Sequence, residues 1–555
     1  MLQQVESQAV EPRFVGGALP NGKSQSVGKR SVTLPEAGAE PWRQTLYTAL
    51  LDARAHHGGS TVIVDDFQKT PLTYDRLTLG ALLLGDKLSA LDPSGKPLGV
   101  LLPNASGVAA VFFACQAAGI IPAMLNYSAG LRSLTAACET AEINVIVSSR
   151  AFIEKAGLED LVEGLSRRCR FVWTEDVRAQ IGTMDKVKGM ARLKLGARRA
   201  KGASLSPDAV AVLLFTSGTE GVPKGVALTH ANLLSNCWQF SQIIDLRPGD
   251  RFFTALPVFH SFGLTAGLIA GIVLGVGAYF YPSPLHYKEI PSHVRRSGAK
   301  IVVSTDTFVN GWIKAADKED FSNVRLMVLG AERVKDETRR LFRERFDIDL
   351  LEGYGATEAA PVIAANHLDD NVSGTVGYVM PAIEFKLDPV PGLNEGGRLK
   401  VRGPNVMAGY MMRDEPGVIQ PLEGGWHDTG DIVDLDEDGR ITIKGRAKRF
   451  AKLGGEMVSL SAVEAYVSEV WPGVNHAVCA VPDKRKGEQL VLVTEKEDPK
   501  TKELLAWAKK AGVSELMIPK KVVSVEALPV LGTGKLNYGA IDALAAPENS
   551  SAKAA

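Results

Sequence analysis

Hydrophobic positions fall into two alternating textures from about Trp42 to Lys444. Short β-branched runs such as Thr61-Val-Ile-Val, Val145-Ile-Val, Phe171-Val-Trp, Val210-Ala-Val-Leu-Leu-Phe and Lys300-Ile-Val-Val-Ser are separated by stretches of helical periodicity. This alternation predicts α/β layers built on largely parallel sheets. After Gly374 the strands shorten and Gly/Pro turns multiply, which predicts an antiparallel β element. From about Phe450, helix and strand patterns return in Val463 to Val470, Ala477-Val-Cys-Ala-Val and Leu490-Val-Leu-Val, as expected of a small α+β domain. No internal repeat is found.

Two stretches, 97–131 and 252–287, contain no Asp, Glu, Lys or Arg. The second includes Gly263 to Tyr281, nineteen residues of mostly apolar character and long enough for a membrane-spanning helix. Gly271, Gly275 and Gly277 punctuate it, however, and Ala278-Tyr-Phe-Tyr-Pro282 reads as a strand ended by proline. A buried helix followed by a buried strand fits the same residues. The first stretch divides likewise into a strand at Leu98 to Leu102, a loop at Pro103-Asn-Ala-Ser and a buried helix.

Composition narrows the class. At 555 residues there is room for about three or four domain-sized units with a large core. Hydrophobic residues make up 45% and charged residues 23%, which excludes a wholly disordered chain and a fibrous rod. Lys+Arg and Asp+Glu balance at 63 each, against the basic excess of a dedicated nucleic-acid binder. Cys115, Cys138, Cys169, Cys237 and Cys479 are scattered with no CxxC pair, so neither a disulfide framework nor a structural zinc site is expected. The first 45 residues lack the apolar core of a signal peptide, and their Gln/Ser/Gly/Pro/Lys character suggests a flexible extension. A cytoplasmic setting follows.

The sharpest local feature is Leu214-Phe-Thr-Ser-Gly-Thr-Glu-Gly-Val-Pro-Lys-Gly-Val226. A hydrophobic strand runs into hydroxylated residues and glycines, then a lysine, then a helix beginning near Thr229. Glycine amides approach phosphate oxygens closely, hydroxyls add donors, and Lys224 brings a mobile positive charge. The P-loop motif GxxxxGK[ST] is not satisfied, because Pro223 precedes Lys224 and Gly225 follows it. A bland Gly/Ser turn is the competing reading.

Thr216-Ser-Gly-Thr-Glu-Gly-Val-Pro-Lys-Gly resembles the phosphate-loop signature of the AMP-forming adenylating superfamily of acyl-CoA synthetases, adenylation domains and luciferases. Four further segments resemble that family's motifs in order: Tyr354-Gly-Ala-Thr-Glu358, Thr429-Gly-Asp431, Gly445-Arg-Ala-Lys-Arg-Phe-Ala-Lys452 and Pro529-Val-Leu-Gly-Thr-Gly-Lys535. The resemblance covers roughly residues 45–540. It implies a nucleotide site formed by Thr216, Ser217, Gly218, Thr219, Gly221 and Lys224, with Gly330, Ala331 and Glu332 contributing. It further implies Tyr354 and Gly355 at adenine, Thr357 at the α-phosphate, Asp431 and Arg446 at the ribose, and Glu358 with Thr216 at Mg²⁺. Lys535 would reach the reacting carboxylate.

The implied organisation is a flexible extension over 1–42 and a large domain over 43–445, made of layered sheets and helices with a β subdomain. A hinge at 446–449, a small mobile α+β domain over 450–543 and a tail over 544–555 complete it. Two departures stand out: Arg449 occupies the hinge position usually held by Asp or Lys, and Gly454-Gly-Glu-Met-Val-Ser459 replaces Gly-Gly-x-Asn-Ile-x-Pro.

A carboxylate is a poor electrophile until joined to the α-phosphate of ATP as a mixed anhydride, which a thiol then opens. Bringing two anions together needs cations and positioning more than acid–base groups, and Lys224, Lys535 and Mg²⁺ on Glu358 form a sufficient set. His260 stands where amino-acid-activating relatives carry an Asp for the substrate ammonium, and a buried ammonium without a carboxylate is costly. The uncharged run behind it suits an apolar acyl chain. His260 reads either as a core histidine or as the gate of that chain's tunnel.

Phe259-His-Ser-Phe-Gly-Leu-Thr265, Tyr281-Pro-Ser-Pro-Leu-His-Tyr287, Leu351 to Glu358 and Gly445 to Ser459 together resemble the synthetase half of the bacterial bifunctional acyl-ACP synthetase/2-acylglycerophosphoethanolamine acyltransferase family. That implies fatty acids passed to the phosphopantetheine thiol of acyl carrier protein (ACP). A fatty acid–CoA ligase is the alternative, and a lipid-binding scaffold on a ligase fold is a non-enzyme reading. The acyltransferase HxxxxD motif has no counterpart. Seven basic residues from Lys186 to Lys201, with no acid among them, read as a solvated loop, a contact with an anionic membrane at its inner face, or a carrier-docking surface.

Overall fold

The computed structural model of the chain describes residues 14–16, 24–91, 94–217, 223–390, 393, 395–453, 456–483, 487–511, 517–530 and 536–546. By packing, the chain divides into two units. The larger comprises 17–383 and 402–427, and the smaller 1–16, 384–401 and 428–555. The β segments at 384–401 and 428–445, which the sequence reading keeps with the N-terminal residues, are thus grouped with the C-terminal ones.

Two large sheets form the body of the larger unit. In one, the eight strands run in the order Glu415–Pro421, Gly409–Met412, Pro223–Thr229, Val210–Ser217, Pro122–Met124, Leu98–Val100, Val145–Ser148 and Arg170–Trp173. The last five are mutually parallel, and the first three join by antiparallel pairing. In the other, nine strands centre on parallel pairing of Val62–Asp66, Ala278–Phe280, Phe252–Thr254, Ile301–Ser304, Leu326–Leu329 and Leu350–Gly355. Parallel strands covered by helices on both faces carry continuous apolar runs, and Val145–Ser148 and Ile301–Ser304 are buried at every position.

The uncharged stretches fold as buried elements. The first supplies Leu98–Val100 and the helix Ser106–Ala118; the second supplies the π-helix Gly263–Ile269, the helical turn Ala270–Val273 and the strand Ala278–Phe280. Gly263 lets that helix start against the preceding turn, because a Cβ there would lie 2.3 Å from the Pro257 carbonyl oxygen. Among the described residues, no helix is long and apolar enough to cross a membrane.

Residues 24–42, read from composition as part of a flexible extension, are folded. Ser24–Val27 and Arg30–Thr33 pair as an antiparallel hairpin, and Val27, Val32, Leu34 and Trp42 are buried. Apolar side chains spaced among the polar ones outweigh the composition, and Gln25 accepts a backbone hydrogen bond from Ala382 at 3.0 Å. The five cysteines are free and buried.

In the smaller unit, the strands Phe14–Gly16, Glu384–Asp388, Gly397–Arg402, His427–Leu435 and Ile441–Arg446 form one sheet. A second combines Glu456–Ser459, Phe450–Leu453, Gly487–Thr494, His476–Asp483 and Lys521–Ser524, with the helix Leu460–Val470 contributing Val463 and Val467 to its core.

Candidate active site

The lysine of the Gly-rich segment sits on a strand. Val210–Ser217 and Pro223–Thr229 pair antiparallel, with Thr216 opposite Lys224. The strand ends in a capping box: Thr229 Oγ1 accepts from Asn232 N at 3.0 Å and Asn232 Oδ1 accepts from Thr229 N at 2.9 Å. This reciprocal pair starts the buried helix His230–Ser241 and fixes the direction in which the lysine strand leaves the loop. Gly218, Thr219, Gly221 and Lys535 lie outside the described residues, and Ser217 closes its strand.

Strand Gly409–Met412 lies beside the lysine strand, with Tyr410 opposite Val226. The Lys224 ammonium stands 5.1 Å from the centre of the Tyr410 ring, within cation–π range. The Tyr410 hydroxyl donates to Glu358 Oε1 at 2.7 Å, and Met407 N donates to the Glu358 carbonyl at 2.8 Å. Tyr410 thereby links the predicted phosphate-loop lysine to the predicted metal-binding carboxylate. No local sequence signal marked it.

Tyr354 and Gly355 end the strand Leu350–Gly355, and Thr357 and Glu358 form the single turn that follows. Tyr354 is 8% exposed. Beneath it, the buried Glu352 carboxylate accepts from Arg339 at 2.7 Å and Val334 N at 3.1 Å. Burial pushes its carboxyl above the ordinary range, with these donors opposing the shift.

Gly330 donates its amide to the Ser304 carbonyl, and Ala331 has a left-handed φ of 69°. Glu332 Oε1 accepts from Thr307 N at 2.9 Å and Oε2 from Thr307 Oγ1 at 2.7 Å, so this carboxylate is engaged at the start of the helix Asp306–Ile313.

The segment 256–262 meets the Tyr354–Glu358 motif directly, since Ser261 Oγ donates to Thr357 Oγ1 at 3.3 Å. Its course is set by Asn104, which is 1% exposed and donates to the Leu256 carbonyl at 2.6 Å while accepting from Val258 N at 3.0 Å. His260 is half-buried, its ring 4.7 Å from that of Phe259. Phe259 in turn stands 5.0 Å from Tyr127, whose phenol burial pushes up to about 12. Behind His260, every residue from Gly263 to Ile269 is buried.

In the smaller unit, Asp431 and Arg446 are cross-strand partners, with Arg446 Nε 2.7 Å from Asp431 Oδ1. Asp431 N donates to Thr429 Oγ1 at 3.1 Å, and that hydroxyl donates to the Leu399 carbonyl at 2.8 Å. Arg449 is anchored in the C-terminal residues. It donates to Glu464 Oε1 at 2.5 Å and the Val478 carbonyl at 3.1 Å, and lies 3.7 Å from the centre of the Tyr538 ring. Burial raises the Glu464 carboxyl, and the guanidinium offsets this in part.

Thr216, Lys224, Thr357, Glu358 and the segment carrying His260 are therefore linked by contact within the larger unit, while Asp431 and Arg446 pair within the smaller. Among the described residues, no group of three or more His, Cys, Asp or Glu is arranged to hold a metal by itself.

The fold is shared with proteins of solved structure. An anthranilate CoA ligase in complex with anthranoyl-AMP superposes with a TM-score of 0.75 at 20% identity, covering 92% of this chain and 99% of that one. ATP-bound MatB from Rhodopseudomonas palustris does so with a TM-score of 0.75 at 24% identity, covering 91% and 100%.

In sequence, residues 51–411 match the model of the AMP-binding enzyme family, and the chain belongs to that family. A long-chain-fatty-acid–CoA ligase of Escherichia coli O157:H7 is 32% identical over 344 residues, or 60% of this chain and 61% of that protein. The chain thus matches less than two thirds of that relative's length. A feruloyl-CoA synthase of Amycolatopsis sp. is 28% identical over 491 residues, or 85% of this chain and 94% of the relative.

Proposed function

We propose that the chain is an ATP- and Mg²⁺-dependent, AMP-forming acid–thiol ligase for medium- or long-chain fatty acids, with CoA as the thiol. The observation that carries this reading is the linkage Lys224–Tyr410–Glu358, with Thr357 joined to Ser261 beside a buried segment free of Asp, Glu, Lys and Arg. The fatty-acid and CoA terms draw on the names of the long-chain-fatty-acid–CoA ligase relatives. ACP remains as a second acceptor, favoured by the four segments that resemble the acyl-ACP synthetase family.

In the first step a carboxylate oxygen of the acid attacks the α-phosphorus of ATP, and the bond to the bridging oxygen breaks to release pyrophosphate. Lys224 faces the outgoing phosphates, Thr357 donates to the α-phosphate, and Lys535 neutralises the entering carboxylate. Tyr354 stacks on adenine, while Asp431 and Arg446 hold the ribose. In the second step the thiolate sulfur attacks the acyl carbon and AMP leaves with the anhydride oxygen.

Glu358 and Thr216 suit a Mg²⁺ that is shared with the nucleotide. One Glu358 oxygen is held by Tyr410, and the other takes no hydrogen bond among the described residues. A single carboxylate completed by phosphates and water is a usual magnesium arrangement. When bound, the ion would neutralise charge on the departing pyrophosphate.

Residues 446–449 are proposed as the hinge between large and small domains, presenting Lys535 for the first step and another face for the second. The test is fatty-acid-dependent exchange of pyrophosphate into ATP, followed by single-turnover transfer of preformed acyl-adenylate to CoA or holo-ACP. Absence of exchange with every medium- and long-chain acid refutes the ligase, and transfer to holo-ACP alone reassigns the acceptor.

A further inference from the structure

The helix Thr183–Leu195 lies on the surface of the larger unit, and its two faces have opposite demands. One face is seated on the helix Tyr74–Ser89. A Cβ on the buried Gly189 would stand 2.7 Å from Leu83 and 2.9 Å from Leu79, so the two helices meet closely there. Lys87 pairs with Asp185 at 3.2 Å and Arg192 with Asp86 at 2.5 Å, which holds the helix along its length.

The opposite face is apolar and uncovered. Met184 is 65% exposed, Val187 51%, Met190 48% and Leu195 83%. At 100° per residue these four fall within one sector of the helix, with the exposed Ala191 between them. Four of the thirteen large exposed hydrophobic residues among those described therefore sit on this one short helix. A lone exposed leucine means little, but a contiguous patch marks a contact.

Charge says what kind of contact. Lys186 and Lys188 flank the apolar sector, Lys194 lies within it between Val187 and Met190, and Arg198, Arg199 and Lys201 follow it, with no acid between 186 and 207. Arg192 and Arg198 are neutralised by Asp86 and Asp52. Lys186, Lys188, Lys194 and Arg199 form no ion pair among the described residues. An apolar stripe edged by unpaired cations has the pattern of a helix lying in a membrane interface, its apolar side among acyl chains and its ammonium groups among anionic headgroups. An acidic carrier protein would satisfy the cations and leave the methionines and leucine in water.

We propose that the outer face of Thr183–Leu195 is a docking surface for an anionic lipid bilayer. Docking through this surface needs neither ATP nor an identified acid, so its failure would leave the ligase proposal untouched.

The test is co-sedimentation of the full chain with phosphatidylcholine vesicles and with phosphatidylcholine vesicles doped with phosphatidylglycerol. Binding is expected to the doped vesicles and to weaken as salt rises. Exchanging Lys186, Lys188, Lys194 and Arg199 for Gln should reduce it by about fivefold per residue. M184E/V187E/L195E should abolish it while leaving the unfolding midpoint unchanged, since these side chains are exposed in the free protein.

As a second readout, an environment-sensitive dye on Met190→Cys, with the native cysteines buried, should shift to the blue on adding doped vesicles. Equal sedimentation with neutral vesicles, no sedimentation with either, or full retention by M184E/V187E/L195E overturns the proposal. So does binding of holo-ACP that is lost in the Gln variant and kept in the Glu variant.

Discussion

The Tyr410 hydroxyl donates to Glu358 Oε1 at 2.7 Å while its ring stands 5.1 Å from the Lys224 ammonium. One side chain thus restrains both an anion and a cation, and the two functions separate by substitution. Tyr410→Phe keeps the ring and removes the donor. A hydrogen bond to a charged group contributes about 1.5–3 kcal/mol, so adenylation should fall by about tenfold or more and need more Mg²⁺ to saturate. Pyrophosphate exchange across a magnesium titration reads this, and an unchanged magnesium midpoint would detach Glu358 from the metal.

Removing a preorganised charge facing the transferred phosphates costs more than removing its support. Lys224→Met should lower the adenylation rate by roughly a hundredfold or more, with thermal stability preserved because the lysine is half-buried on a paired strand. Retention of near-normal exchange would remove Lys224 from the phosphate site.

Lys535→Ala separates the half-reactions. Adenylation is expected to collapse while transfer from supplied acyl-adenylate proceeds. Equal loss of both, measured in single-turnover assays, would contradict a two-conformation cycle about 446–449.

Arg449 and Glu464 form a pair whose side chains are 14% and 16% exposed. Arg449→Met would leave the Glu464 carboxylate buried without its cation, a loss of roughly 3 kcal/mol or more. The smaller unit should therefore unfold at lower urea, and adding Glu464→Leu should recover part of the loss. If the single variant unfolds with the wild type, this clamp is not what anchors Arg449.

Burial lowers the His230 imidazole to about 4, and its Nδ1 accepts from Leu46 N at 3.2 Å, which requires the neutral ring. A folded pKa below the unfolded value of about 6.5 means the unfolded chain protonates first. The neutral ring's stability is intact above that value and declines as pH falls toward about 4, by roughly 3 kcal/mol at the lower end. In urea titrations across this window, His230→Gln should be least stable relative to wild type near neutrality, with the gap closing in acid. A gap independent of pH would refute the assignment.

Most of the core was legible because its strands are buried on both faces. Val145–Ser148 and Ile301–Ser304 appear in the sequence as unbroken apolar runs for that reason. The proposed site residues stand out in the sequence because each lies in a short local pattern. The restraining residues do not. Tyr410 lies 52 positions from Glu358, and Asn104 lies 154 from Val258, so no local pattern encodes either contact.

The strand Pro223–Thr229 was hidden for a related reason. Its Pro-Lys-Gly opening reads as loop, and only antiparallel pairing with Val210–Ser217 makes it a strand. Glu332 shows the reverse case: the family pattern marks it for nucleotide, while Thr307 engages both of its oxygens.

The Ser24–Thr33 hairpin has a practical corollary. Val27, Val32 and Leu34 are masonry for the larger unit, and Gln25 ties them to Ala382. A fragment begun at residue 43, the cut that amino-acid composition invites, would retain every proposed catalytic group while stripping one wall of the building that holds them. Such a fragment would be expected to fail in expression rather than in chemistry.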